Sequence, residues 1–205
     1  IISNVKVQST LSKALALFLK DLLSIMDRGF VFKVISTFIT RLDPRNSVKN
    51  LTTNKFKALK IICSHEHFLQ LCIPITKPLG NITDIMEDFF ENHYLIGLLL
   101  DEVANCLNCQ DMASRLKAIS TLRDILWKHS ESPLIDGNPE KLKLFASMFF
   151  PFIIIALERI KILETCDIKE QTEWSICILF ILKHCDREKL LYKWWANDTV
   201  KNFRA

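Results

Sequence analysis

Cys63, His65, His67 and Cys72 are the residues whose types and closeness most invite chemistry, because thiolate and imidazole are both good zinc ligands. Their spacing argues against a metal centre. On a helix, residues 63 and 67 share a face while 65 swings to the other, and the stretch lacks paired Cys-x-x-Cys knuckles. The expected state is a helix end whose histidines are half-buried and hydrogen-bonded. His65-Glu66-His67 also departs from the His-Glu-x-x-His pattern of metalloproteases. Cys106 and Cys109 have Cys-x-x-Cys spacing, but no strand precedes them, so the setting of a thioredoxin-type redox site is missing and buried apolar thiols are expected. A small zinc or thiol enzyme built on residues 63 to 109 stands as the catalytic alternative. With four glycines in the chain, a phosphate-cradling loop is not expected, and no Ser nucleophile elbow or spaced acidic metal motif occurs. No catalytic residue, metal or cofactor is expected.

Charge marks a second candidate. Arg41, Arg45, Lys49, Lys55, Lys57 and Lys60 stand against Asp43 alone between residues 41 and 60, while the whole chain has a net charge of +4. The remainder is therefore close to neutral, and no nucleic-acid partner is expected. These six residues form a candidate face for weak contact with an anionic membrane or a partner, against the ordinary alternative of a solvated surface. Asp27-Arg28-Gly29 reads as a helix end, with Gly29 supplying a backbone conformation that other residues resist and Arg28 reaching a carboxylate or an orphan carbonyl. Trp194-Trp195 suits a terminal helix docking on the one before it, or a binding surface.

The elements that must position these residues are helices. Hydrophobic residues make up 49% and charged residues 24%, which fits a folded globular chain, and the few Gly and Pro argue against a sheet-rich sandwich or barrel. Seven cysteines, an odd number, are scattered through apolar stretches, which suits reduced thiols in a cytosolic protein. The sequons at Asn50, Asn81 and Asn197 are then expected to be unused. The longest apolar run, residues 144 to 157, is broken by Ser147 and Pro151 and falls short of the roughly 20 residues that a membrane span needs. Starting at Ile1 without Met or a signal sequence, the chain reads as a piece of something longer.

Periodicity predicts a helix from Ser12 to Met26, a second from Phe30 to Arg41 ending at Asp43-Pro44, and a third reaching Cys63 with Asn50, Thr52 or Thr53 as its cap. Pro74, Pro78 and Gly80 enforce a loop, and Thr83 caps a helix running to about Leu107, with a break near Glu91-Asn92. Residues 114 to 128 give the clearest wheel, with Ala118, Ile119, Leu122, Ile125 and Leu126 on one face and Lys117, Ser120, Asp124 and Lys128 on a wet face. After turn-rich Ser132 to Pro139 comes one helix from Glu140 to about Leu163, apolar nearly all round and hence the innermost element. Helices from about Glu170 to His184 and Arg187 to Trp195 follow. The predicted fold is all-α, one region over 1–205 in which helical hairpins stack as a degenerate armadillo- or HEAT-like solenoid, with no strict repeat at the roughly 40 to 47 residue period of those families.

Several runs carry a family likeness: Ser24-Ile-Met-Asp-Arg-Gly-Phe-Val-Phe-Lys33, Ile61-Ile-Cys-Ser-His-Glu-His-Phe68, Asn92-His-Tyr-Leu-Ile-Gly-Leu-Leu-Leu100 and Ala118-Ile-Ser-Thr-Leu-Arg-Asp-Ile-Leu126. In content, order and approximate spacing they resemble the zizimin branch of the DOCK exchange factors for Rho-family GTPases. The resemblance implies a non-catalytic helical region between a C2-like, phosphoinositide-binding domain and a downstream exchange domain. It also implies a cytoplasmic protein recruited to the membrane periphery, whose partners are the adjacent domains and, through the exchange domain alone, a GTPase. The likeness ends near Trp194-Trp195, before that exchange domain, so no catalytic residue is carried over. The connection from Leu163 to Gln171 is short where members of the branch carry a long Ser-rich insertion, so no regulation through such an insertion is expected. The alternative is a stand-alone helical-repeat adaptor whose ends or concave face bind a peptide or protein.

Overall fold

The computed structural model describes residues 2–42, 49–73, 94–109 and 111–190, the side chains of 2–4, 49 and 50 excepted. The expected 74–80 loop, the Thr83 cap, the break near Glu91-Asn92 and the terminal Trp pair lie outside the described residues. Ten helices are described: α1 (Ile2–Leu22), α2 (Arg28–Arg41), α3 (Lys49–Ile62), α4 (Phe68–Cys72), α5 (Tyr94–Leu107), α6 (Met112–Ser130), α7 (Pro139–Met148), α8 (Pro151–Glu158), α9 (Ile160–Thr165) and α10 (Ile168–His184).

Aspartates open three of these helices. The Asp27 carboxylate accepts the Phe30 N–H at the start of α2, Asp111 accepts from Ser114 at α6, and Asp167 accepts from Glu170 at α10. Each satisfies a backbone donor that has no partner within its helix. Asp27 therefore begins a helix instead of ending one, and α1 stops earlier than predicted, at Leu22. Gly29 lies inside α2, not in a left-handed turn. The left-handed conformation belongs to Gly137, at φ 70°, in the turn before α7, where Asn138 caps and Pro139 opens the helix. Thr52 and Thr53 are likewise inside α3 and do not cap it.

Two layers result. In the first, α1 packs on α3, α3 on α6 and α6 on α10; in the second, α2 touches α5 and α5 touches α8. Between the layers, α6 meets α5 and α7 meets α10. Helices of the first layer begin at residues 2, 49, 112 and 168, so the stack proceeds without a fixed period in the sequence. The fold is all-α and built of stacked hairpins.

The wheel predicted for 114–128 is α6: Ala118, Ile119, Leu122, Ile125 and Leu126 are buried against both layers. Its opposite face is only half wet, because Lys117, Ser120 and Asp124 are partly covered by neighbours. The single helix expected from Glu140 to Leu163 is instead three. Pro151 has no N–H to donate, and within a continuous helix its ring would strike the Ser147 carbonyl. That carbonyl accepts from Phe150 N at 3.1 Å, tightening the turn, and α8 starts afresh at Pro151. A second break falls at Arg159, whose guanidinium reaches Asn108 Oδ1 at 3.2 Å. The apolar character persists through the breaks, and Phe145, Phe149 and Phe152 are fully buried. Yet Leu144, Leu157 and Ile160 are about half exposed, so this stretch is not enclosed all round.

Candidate interaction surface

The six basic residues of the candidate face part company. Arg41 and Lys57 are exposed, and Lys60 is partly so. Arg45 lies outside the described residues, as does the side chain of Lys49. Lys55 does not join an exposed face: it turns into the seam between α3 and α5, where its ammonium meets Glu102 at 2.7 Å and both side chains are largely buried. The register of α3 explains this, because Lys55 shares a face with the buried Ala58, Leu59 and Ile62.

Other helices supply what Lys55 does not. Lys117 and Lys128 of α6 both have their pKa lowered, first by burial and then by like charge: Lys60 and Lys57 act on Lys117, Lys20 and Lys60 on Lys128. Lysines of α1, α3 and α6 thus gather on the first layer. Acids are interleaved. Asp124 takes Lys60 at 2.5 Å on one oxygen and Arg123 at 2.8 Å on the other, while Arg123 also bonds Glu173 of α10. Burial pushes the Asp124 carboxyl up, but these two cations outweigh it and hold the pKa below the usual carboxylate range. A shallow groove of about 950 Å³ lies here between the end of α3 and α6, with Trp127, 59% exposed, on its wall and Glu66 and Glu131 at its edge.

A second ion pair fastens α6 to α10 below this surface. Arg115 grips Glu170 through Nε at 2.9 Å and Nη2 at 3.1 Å, and gives Nη1 to the Cys109 carbonyl at 3.0 Å. Glu170 is fully buried. The sequence did carry a signal for this pair. Glu170 and Glu173 sit at positions that share the buried face of Trp174, Cys177 and Ile181, and a carboxylate at a core register calls for a cation.

Most of the described cysteines, together with His65 and His129, are committed to packing. Burial pushes the Cys63 and Cys106 thiols up to about 12 and Cys72 well above its ordinary value, so all three stay protonated near neutrality and are poor nucleophiles or metal ligands. His65 Nδ1 accepts the His67 backbone N–H at 3.0 Å, so in the neutral ring Nε2 carries the proton and donates to Ser24 Oγ at 2.8 Å. His65 is buried, while His67 is exposed beside Glu66, 3.7 Å away. Among the described residues, no group of three or more His, Cys, Asp or Glu is placed to hold a metal ion. Cys109 is exposed, with its Sγ 3.7 Å from the Asn105 carbonyl. A further histidine, His129, donates Nε2–H to the Cys63 carbonyl at 2.6 Å and stacks on Phe68 at 4.5 Å. Arg28 fulfils the expected tie to a carbonyl, donating to Ile73 O at 3.2 Å. No helix among the described residues is long and apolar enough to cross a membrane.

Comparison with known proteins fits this architecture. A family model described as "DOCK6-11, TPR domain" matches residues 2–63, and TPR units are themselves helix-turn-helix repeats. Dedicator of cytokinesis protein 9 of Homo sapiens is 31% identical over 174 residues, covering 80% of this chain and 8% of that protein. Dedicator of cytokinesis protein 8 of Mus musculus is 31% identical over 175 residues, 71% of this chain and 8% of the relative. Dedicator of cytokinesis protein 7 of Homo sapiens is 29% identical over 206 residues, 82% and 10% respectively. The chain spans 8% to 10% of the length of these relatives. No solved structure matches it.

Proposed function

Because this chain belongs to the DOCK family, as a helical segment related to the DOCK6–11 members, we propose that it is a non-catalytic scaffold within a larger guanine nucleotide exchange factor for Rho-family GTPases. In this reading it holds a membrane-binding C2-like domain at a fixed distance and angle from an exchange domain, in a cytoplasmic protein that works at the membrane periphery. The observation that carries the proposal is the fastening of helices across the stack. Lys55–Glu102, Lys60–Asp124, Arg123–Glu173 and Arg115–Glu170 tie α3, α5, α6 and α10 together over one continuous core, which suits a spacer that transmits geometry. Six of the seven thiols, with His65 and His129, are buried in packing, which favours a mechanical part over a chemical one.

The test uses the parent protein with this region replaced by a flexible Gly/Ser-rich linker of equal span. Exchange on a Rac-type or cell-division-control-type GTPase in solution should persist, while its stimulation by phosphoinositide vesicles should be lost. Vesicle stimulation that survives the replacement would count against a scaffold. The chain alone should leave release of fluorescent GDP unchanged, and acceleration would overturn the non-catalytic reading.

Lys57 with Lys20, Lys60, Lys117 and Lys128 is the part of the surface proposed to face an anionic leaflet, where each basic residue near the surface contributes about 1 kcal/mol. Asp124, Glu66 and Glu131 weaken that attraction, so binding to phosphatidylserine vesicles should be weak and disappear as salt rises. Joint change of Lys57 and Lys117 to Gln should reduce it, whereas binding that resists both salt and this change removes the membrane role.

A further inference from the structure

The seven cysteines divide by exposure. Six are buried, and Cys109 is open to solvent in the turn that follows α5. The expectation of two buried thiols in Cys106-Leu-Asn-Cys109 therefore holds for Cys106 and fails for Cys109. The turn also sets the two close together. Cys109 donates its backbone N–H to the Cys106 carbonyl at 3.0 Å. Such a reversal keeps Cα atoms three residues apart within about 7 Å, and a disulfide spans about 4.4–6.8 Å. Residues three apart lie on one side of a helix, and Cys109 Sγ does reach back over α5, to 3.7 Å from the carbonyl of Asn105, the neighbour of Cys106. Both ends of the pair are fixed: Cys106 by the core, and Cys109 by Arg115 of α6, which gives Nη1 to its carbonyl at 3.0 Å. Cys63 and Cys72 also lie near each other, but both are fully buried, so a dissolved oxidant does not reach them.

We propose that Cys106 and Cys109 form a reversible intrachain disulfide by exchange with a small-molecule disulfide of the oxidised-glutathione class. The exposed thiol reacts first. The Cys109 thiolate attacks one sulfur of oxidised glutathione, whose S–S bond breaks, giving a mixed disulfide on Cys109 and one glutathione thiolate. Cys106 then gives its proton to solvent and attacks Cys109 Sγ, forming the intrachain bond and releasing the second glutathione thiolate. Two protein thiols are oxidised, one glutathione disulfide is reduced to two thiols, and no further oxidant is needed. Burial, and after it the neighbouring Cys109, push the Cys106 thiol up to about 12, so at neutrality its thiolate is about 10⁵-fold rarer than the thiol. Two effects offset that scarcity. A thiolate of high pKa is the stronger nucleophile, and well-oriented intramolecular reactions reach effective concentrations of about 10⁵ M or more. The second step is therefore the slower one, and the mixed disulfide precedes the intrachain bond. This inference rests on the turn after α5 and does not depend on the scaffold reading.

The test exposes the folded 205-residue chain, without denaturant, to millimolar oxidised glutathione and follows its mass with time. One glutathione adduct should rise and then fall, leaving a chain lighter than the starting protein by two hydrogens. Cleavage after Glu102 and Glu131 frees a peptide whose only cysteines are Cys106 and Cys109, and the loss of two hydrogens should lie within it. Reduced glutathione in excess should reverse the change. Cys106→Ala should stop at the stable adduct, and Cys109→Ser should give neither adduct nor bond. Cys109 is exposed, so its variant keeps the fold, and circular dichroism checks that the Cys106 variant does too. A folded wild-type chain that stops at the adduct, as Cys106→Ala does, overturns the proposal. So does a chain that stays unmodified, one that joins Cys109 to a different cysteine, or one that forms the bond only in urea.

Discussion

At the scale of single residues, burial decides which charged contacts matter. Lys143–Asp186 and Arg115–Glu170 are both ion pairs, yet the first leaves its side chains 43% and 34% exposed and the second hides its carboxylate completely. Solvated pairs contribute roughly 0–1 kcal/mol, whereas removing one partner of a buried pair destabilises by about 3–5 kcal/mol because the remaining charge loses both water and its counter-ion. Urea unfolding at pH 7 should therefore show Glu170→Ala several kcal/mol less stable and Lys143→Ala within about 1 kcal/mol of wild type; similar effects from the two would mean that Glu170 is not the fastening it resembles. The histidines make stability depend on pH. Burial lowers the pKa of His65, with His67 adding to the effect, and burial lowers that of His129 against the opposing pull of the Cys63 carbonyl. The unfolded chain then takes up protons first, at about pH 6.5, so the stabilisation is complete above that pH and is lost as pH falls towards the folded values. The melting temperature should drop between pH 7 and pH 5, with a shallower slope in His129→Gln, whose amide can still donate to Cys63 O. An unchanged slope would assign the dependence to other groups.

At the scale of elements, legibility in the sequence followed the locality of the cause. Helix α6 was readable because its apolar stripe depends on its own residues, and α10 was placed to within two residues at its start for the same reason. The division of residues 139–165 into three helices was half readable, since Pro151 announces the first break while nothing local marks the one at Arg159. Lys55 was misplaced for a non-local cause, because Glu102, which draws it inward, lies 47 residues away on another helix. Asp27 is instructive in a third way: an Asp-x-Gly between two apolar runs fits a stop or a start, and the hydrogen bond to Phe30 decides for a start. Gly29 completes that cap. A Cβ at this position would sit 3.2 Å from the Asp27 carboxylate, so Gly29→Ala disturbs the cap even as it improves helix propensity. Asp27→Ala alone should cost about 1 kcal/mol. Gly29→Ala should be close to neutral in the wild type but stabilising by up to about 1 kcal/mol once Asp27 is already Ala, and a double-mutant cycle in urea reads that coupling. Additive effects would show that the cap and the glycine act independently.

At the scale of the whole molecule, the question is whether the stack unfolds as one body or repeat by repeat. Helical arrays behave as coupled units, each with a weak intrinsic stability and strong interfaces to its neighbours, so cooperativity rests on the interfaces. Here the interface that matters is α6, which contacts α3 and α5 on one side and α10 on the other. Its Ile119 and Leu122 are fully buried, and Lys60–Asp124–Arg123–Glu173 runs across the same junction as a chain of charges. A break between halves would have to expose that apolar face and separate those ions together, which makes partial unfolding costly compared with unfolding the whole. Helix content and the near-ultraviolet signal of the buried Trp174, stacked on Phe152 at 5.1 Å, should therefore follow one urea transition. Ile119→Ala, which removes buried atoms at the junction, should move both probes together to lower urea by about 2–5 kcal/mol of stability. If the variant instead separates the two transitions, with the Trp174 signal lost at a different urea concentration from most of the helix, then α6 is a hinge between two independently folding halves and the rigid-spacer reading loses its physical basis.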